Sequence, residues 1–218
     1  MTIKVIVCGE GSTDVGKRDY ETSQWIDGPA IAYIKNASTK KLQIDGIGKN
    51  DLPKIQKVKS LKGHSVKAEK LCLYAILHHY KVAICYVDCD KNPFEKIYKD
   101  ITEGFSDYKN KVIGIPMIPK AMIESWLVAD ENAFLKVFGK KPPKPYRHIE
   151  PESLWGKKED PNSNYPKNVL KRIVSQFNGK PDDWRYALAR NSSSKTLLLK
   201  CPVSYGRFLC DMKKINSC

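Results

Sequence analysis

Along this chain, short and nearly continuous apolar runs alternate with segments whose apolar positions recur at helical spacing. Residues 3–8 (Ile-Lys-Val-Ile-Val-Cys), 41–47, 82–87 (Val-Ala-Ile-Cys-Tyr-Val) and 111–116 are rich in β-branched residues and have the length of buried strands. Gly28-Pro29 opens a short helix carrying Ile31, Tyr33 and Ile34, since proline is preorganised for a first helical turn. Ser65 stands where it would cap the next helix, whose apolar face reads Ala68, Leu71, Leu73, Tyr74, Leu77 and Tyr80. A third helical stretch runs from Phe94 to about Tyr108. A fourth, from about Ala121 to Phe138, follows Pro116 and Pro119. Strands separated by helix-length segments predict βαβ units. The expected class is α/β: a Rossmann-like, mainly parallel four-stranded sheet flanked by helices.

The pattern changes at Gly139. Residues 140–166 are rich in proline, charge and turn formers, with Leu154 and Trp155 as the obvious anchors, and read as an irregular connection. Apolar residues then return at helical spacing in 169–177, 184–188, 197–199 and 203–212. The expected organisation is an α/β domain over 1–138, with the connection and a C-terminal helical extension over 139–218 packed on it.

Composition narrows the function classes. The chain has 218 residues, 41% of them hydrophobic, enough for one domain with a sizeable core. No apolar run approaches the ~18 residues that a membrane helix needs, so no membrane role is expected. Seven cysteines, an odd number without a Cys-x-x-Cys pair, point to small hydrophobes in a reducing cytoplasm rather than to a disulfide framework. The net charge of +14 argues for a polyanionic partner, with nucleic acid the first candidate.

The candidate chemistry lies where apolar runs end in acids. The first strand runs into Glu10-Gly11-Ser12-Thr13-Asp14 and the third into Asp88-Cys89-Asp90. Parallel strands deliver such residues to the C-terminal edge of the sheet, where open α/β folds place their ligands. Glu10 suits metal ligation or general base work, and Asp14 either ligates or holds its loop by an Asx-type hydrogen bond. In extended backbone Asp88 and Asp90 share a face while Cys89 turns to the core. Two like charges so close repel unless a cation offsets them, with Lys91 as a competing ion-pair partner. One or two hard divalent cations therefore fit, since they prefer carboxylate oxygens. Glu124 opens a helix beyond the fourth strand. It either ligates a second metal or favours the helix dipole without further purpose. Lysines crowd residues 40–70. Lys49, Lys54, Lys57, Lys59 and Lys62 are candidate phosphate contacts, with His64 at a helix N-terminus and Lys120 beside the fourth strand. Arg185, Arg190 and Arg207 either extend this basic surface or decorate exposed helix faces.

Glu10 after the first strand with Asp88-x-Asp90 after the third resembles the Toprim signature of topoisomerases, bacterial primases and overcoming-lysogenisation-defect nucleases. The stretch Glu124-Ser125-Trp126-Leu127-Val128-Ala129-Asp130 adds a likeness to the DUF4276 group of small Toprim-like proteins. The resemblance implies that Glu10, Asp88 and Asp90 are catalytic and hold Mg²⁺ or Mn²⁺; Asp14 and Glu124 are further candidate ligands by their positions alone. It implies phosphodiester hydrolysis in DNA or RNA, since the chain has no room for primase or topoisomerase modules. It also implies an effector of anti-phage defence with a partner ATPase encoded nearby. The alternatives are a small Toprim ribonuclease maturing structured RNA and a catalytically silent Toprim scaffold.

Overall fold

The structure, a computed structural model, describes residues 2–9, 11, 13–19, 21–22, 25–54 and 61–217. Among them, strands β1 (Ile3–Cys8), β4 (Leu42–Ile47), β5 (Val82–Tyr86) and β6 (Ile113–Met117) form one all-parallel sheet in the order β4-β1-β5-β6. Two three-residue strands, β2 (Gly16–Arg18) and β3 (Trp25–Asp27), pair antiparallel apart from it and were not visible as strands in the sequence pattern.

Alternation along the strands sorts the core into two faces. Val5, Val7, Val82, Ile84, Tyr86, Ile115 and Met117 pack on the side of α1 (Pro29–Ala37). Ile6, Cys8, Ala83, Cys85 and Val87 pack against α2 (His64–Leu77) and α3 (Phe94–Phe105). Because both faces of the central strands are covered, β1 from Val5 and all of β5 read as unbroken apolar runs, whereas edge strand β4 carries Gln43 and Asp45. The chain moves from β1 out to β4, returns past β1 to β5, and continues to β6. Strand order therefore reverses between β1 and β5, and the loops leaving them diverge. A ligand crevice is expected at that point.

Six further helices follow β6: α4 (Ile123–Leu127), α5 (Glu131–Phe138), α6 (Pro166–Val174), α7 (Trp184–Asn191), α8 (Ser194–Lys200) and α9 (Ser204–Asn216). They complete the layer that α1 begins, with α7 against α1 and α9 against β6. Trp126 lies fully buried at the centre of this layer. Its ring meets Tyr33 and Tyr205 edge-on at centroid distances of 5.3 and 5.1 Å, and its Nε1–H donates to Ser204 Oγ at 2.8 Å. Residues on either side of Gly139 thus share one core.

Two expectations are corrected. The single helix over 121–138 is two helices, because Asp130 interrupts it. Its carboxylate accepts the Asn132 N–H at 2.9 Å as the N-cap of α5, and the Ser193 N–H at 2.7 Å. Ser65 does not cap α2. Gly63 holds that position, and the Ser65 hydroxyl donates to the Lys62 carbonyl at 2.7 Å. The buried face of α2 is Ala68, Leu71, Cys72 and Ala75, while Leu77 is 67% exposed. Close approach to α3 sets this rotation. A Cβ on Gly104 would lie 2.2 Å from the Ser65 carbonyl oxygen, so small residues must face each other there.

Candidate active site

Carboxylates reach the reversal point from three segments. The first follows β1. Residues 13–16 fold back on the start of α1, where the Ala30 N–H donates to the Asp14 carbonyl at 2.9 Å and the Gly28 N–H to that of Val15 at 3.0 Å. Gly28 permits this approach, since a Cβ there would stand 2.3 Å from the Asp14 carbonyl oxygen. The turn buries the Asp14 side chain to 8% exposure. Glu10, in the same loop, lies outside the described residues.

The second segment follows β5. Its ladder runs on past the strand, with the Val87 N–H donating to Met117 O and the Cys89 N–H to Pro119 O, both at 3.1 Å. Alternation therefore persists, burying Val87 and Cys89 on the α2/α3 face and turning Asp88 to the opposite face with Tyr86. The Tyr86 hydroxyl donates to Asp88 Oδ1 at 2.5 Å, and the Ile123 N–H donates to the same oxygen at 3.1 Å. Asp90 leaves the alternation. It adopts φ 47°, a left-handed conformation that aspartate tolerates, and its N–H donates at 2.7 Å to the carbonyl of Ala121. Ala121 itself sits at φ 63°, at a cost of about 1–2 kcal/mol. The shared face expected for Asp88 and Asp90 is thus replaced by a turn. Their charges still interact, because Asp90 raises the pKa of Asp88.

The third segment is α4, which carries Glu124 at 3% exposure. A cation from the C-terminal layer joins it. The Nη2 of Arg185, on α7, donates to Asp14 Oδ1 and to Glu124 Oε1, each at 2.9 Å, while its Nη1 reaches the Thr13 carbonyl at 3.3 Å. Two buried atoms of this constellation, Glu124 Oε2 and Arg185 Nε, have no hydrogen-bond partner among the described residues. Behind the acidic turn, on the α2 face, the buried ammonium of Lys67 donates to the Tyr86 carbonyl at 2.8 Å.

The concentration of negative charge shows in the titration of these groups. Burial pushes the Asp88 carboxyl up to about 7; the Tyr86 hydroxyl opposes this, and the charges of Asp14, Glu124 and Asp90 add to it. Burial also raises Glu124, against the pull of Arg185 and Lys167 and with the push of Asp14. Tyr86 is driven well above its ordinary value, first by burial, so it stays a neutral donor to Asp88.

The structure therefore gathers Asp14, Asp88, Asp90 and Glu124 around the reversal point. Among the described residues no group of three His, Cys, Asp or Glu stands close enough to hold a metal ion. Lys49 opens a short 3₁₀ turn just after β4, and Lys54 and Lys62 are exposed in the same loop region. Among the described residues, no side-chain hydrogen bond or ion pair joins these lysines to the acidic cluster. Lys57 and Lys59 lie outside the described residues. His64 is the first residue of α2, and Lys120 follows β6, where its charge acts on the Cys89 thiol. Lys67, within the lysine-rich stretch but not among its candidate phosphate contacts, is buried. Sequence reasoning also missed Tyr86 and Arg185. Tyr86 carried a usable signal, since residues two apart on a strand share a face. Compared with family models, curated proteins and solved structures, the chain matches none significantly.

Proposed function

We propose that this protein is a Toprim-like nuclease that hydrolyses phosphodiester bonds in DNA or RNA with a divalent metal ion, acting beside a partner ATPase as the sequence resemblance implies. One observation carries the reading: Asp14, Asp88, Asp90 and Glu124 lie around the point where strand order reverses, with Asp88 held up to about 7 by burial and by its acidic neighbours. Arg185 offsets Asp14 and Glu124, and a divalent cation would offset the charge that Asp88 and Asp90 bring together. The donor set fits a hard divalent ion, since it consists of carboxylate oxygens and the hydrogen bonds that hold Asp88 fall on its Oδ1. Asp88 and Asp90, together with Glu10 as the sequence resemblance implies, would hold Mg²⁺ or Mn²⁺. Such an ion, when bound, supplies charge stabilisation at phosphate and a more acidic water.

The chain's own residues divide the remaining work. Tyr86 and the Ile123 N–H both donate to Asp88 Oδ1 and so fix the orientation of its carboxylate. Asp14 and Glu124 together orient the Arg185 guanidinium, a donor whose planar fork matches phosphate oxygens. Glu124, buried and raised, is suited to keep a proton at Oε2 and release it to a leaving oxygen.

The test is cleavage of plasmid, linear and single-stranded DNA and of structured RNA, with Mg²⁺ or Mn²⁺, with and without the partner encoded beside the gene. Asp88→Asn and Glu10→Gln should each lose at least ~100-fold in rate, since even changes to residues that only hydrogen-bond a metal's ligands cost about 10–100-fold. Cleavage at the wild-type rate by either variant would assign the activity elsewhere. Binding without cleavage under all these conditions would favour the silent scaffold.

A further inference from the structure

A cleft of about 240 Å³ opens between α6 and α7, lined by Lys167, Lys171, Lys180 and Arg185, with Trp184, Leu170 and Val174 as its apolar wall. Its one acidic lining residue is Glu124, which Arg185 already engages. Lys167, Lys171 and Lys180 are exposed, and none has an ion-pair partner among the described residues. Lys167 and Lys171 stand one turn apart on the same face of α6, an arrangement of like charges that disfavours the helix unless an anion answers it. Their spacing of about 6 Å along the axis is close to that of neighbouring phosphates in an extended strand.

The cleft is continuous with the acidic crevice. Glu124 and Arg185 belong to both, and the charge of Lys167 acts on Glu124 across the boundary. Tyr165, at the start of α6, feels Lys167 on one side and Asp88, Asp90 and Glu124 on the other. Arg185 Nε and Glu124 Oε2, two buried atoms without a hydrogen-bond partner among the described residues, lie at this junction. The half-buried Trp184 in its wall offers a face on which an unpaired base can stack, which the paired and stacked bases of a duplex cannot use.

We propose that the α6/α7 cleft seats the phosphodiester backbone of a single-stranded nucleic acid, with Lys167, Lys171 and Lys180 on consecutive phosphates and Arg185 on the phosphate next to the acidic crevice. This rests on the nucleic-acid substrate of the proposed function, and moves the binding track from the lysine loop after β4 to the C-terminal layer.

The test uses the full chain in EDTA, so that binding is read without cleavage. Fluorescence anisotropy of a labelled oligothymidine and of a matching duplex is measured across a salt series. The variants are Lys167→Ala/Lys171→Ala/Lys180→Ala and Lys49→Ala/Lys54→Ala/Lys62→Ala, all at exposed positions, with fold checked by circular dichroism. For the single strand, the cleft variant should lose about 10-fold or more in affinity at physiological salt, and its log–log salt slope should flatten by about 2, at ~0.7 per lost contact. The loop variant should keep the wild-type slope. An unchanged slope in the cleft variant overturns the inference, as does preference for duplex or no binding by the wild type. Binding through the cleft by a protein that cuts nothing with Mg²⁺ would instead count against the nuclease reading alone. Cleavage that persists with an unchanged slope in the cleft variant would do the reverse.

Discussion

Asp88→Asn is expected to stabilise the cation-free protein at pH 8 by up to roughly 4 kcal/mol while leaving it no more stable than wild type at pH 3. The sign follows from the direction of the shift. Asp88 ordinarily titrates near 3.8 and in the folded protein near 7, so the folded state binds its proton more tightly than the unfolded chain. That contribution to stability is complete below about 3.8, declines as pH rises, and is gone above about 7. Asparagine imitates the protonated form at every pH. Its Oδ1 accepts the same bonds from Tyr86 and the Ile123 N–H that the aspartate accepts at 2.5 and 3.1 Å. Thermal unfolding in EDTA should therefore show a midpoint rise on the order of 10 °C at pH 8. Saturating Mn²⁺ should narrow the gap by stabilising the wild type alone. A variant equal to or weaker than wild type in EDTA at pH 8 would mean that Asp88 carries no electrostatic strain.

Arg185→Met should act in the opposite direction. Removing the guanidinium leaves Asp14 and Glu124, at 8% and 3% exposure, without the cation they share. Breaking a buried pair in this way costs about 3–5 kcal/mol, and the partial exposure of Arg185 places the effect near 3. Methionine keeps much of the aliphatic volume, so the loss reads charge rather than packing. Glu124, already raised by burial, would rise further and take up a proton as pH falls. The penalty should consequently be larger at pH 8 than at pH 5 in denaturant melts. Equal penalties at both pH values would point to packing. Arg185→Lys should recover only part of the loss, because an ammonium cannot reproduce the fork that reaches two carboxylates and the Thr13 carbonyl.

The sheet was legible because its strands are buried on both faces, so Val5-Ile6-Val7 and Val82-Ala83-Ile84 read as apolar runs without any tertiary knowledge. Strand order was not legible, since register and neighbour choice depend on packing of the crossing helices. The β2–β3 pair was missed because three-residue strands are too short to show alternation. Asp130 did carry a signal: an aspartate followed by Glu131 is an N-terminal helix signature, and it lay hidden inside an apolar run that looked continuous.

In the site, Asp14, Asp88, Asp90 and Glu124 could be nominated because each lies just past a strand end. Arg185 could not be placed. It meets Asp14 across 171 residues of chain, and an arginine between Trp184 and Tyr186 looks like any amphipathic helix position. Lys67 was not singled out for a similar reason, since a lysine among lysines gives no hint that its ammonium ends on the Tyr86 carbonyl.

The most direct test of a divalent-cation site at Asp88 and Asp90 is Mn²⁺ binding by calorimetry at pH 6 and pH 8, for the wild type and for Asp88→Asn. The wild type should bind with a stoichiometry of at least one ion, more tightly at pH 8, because binding at pH 6 must first displace the proton that Asp88 retains with its titration near 7. Asp88→Asn should lose that binding at both pH values. Undiminished binding by the variant, or wild-type binding that does not strengthen between pH 6 and pH 8, would contradict a metal centre built on Asp88.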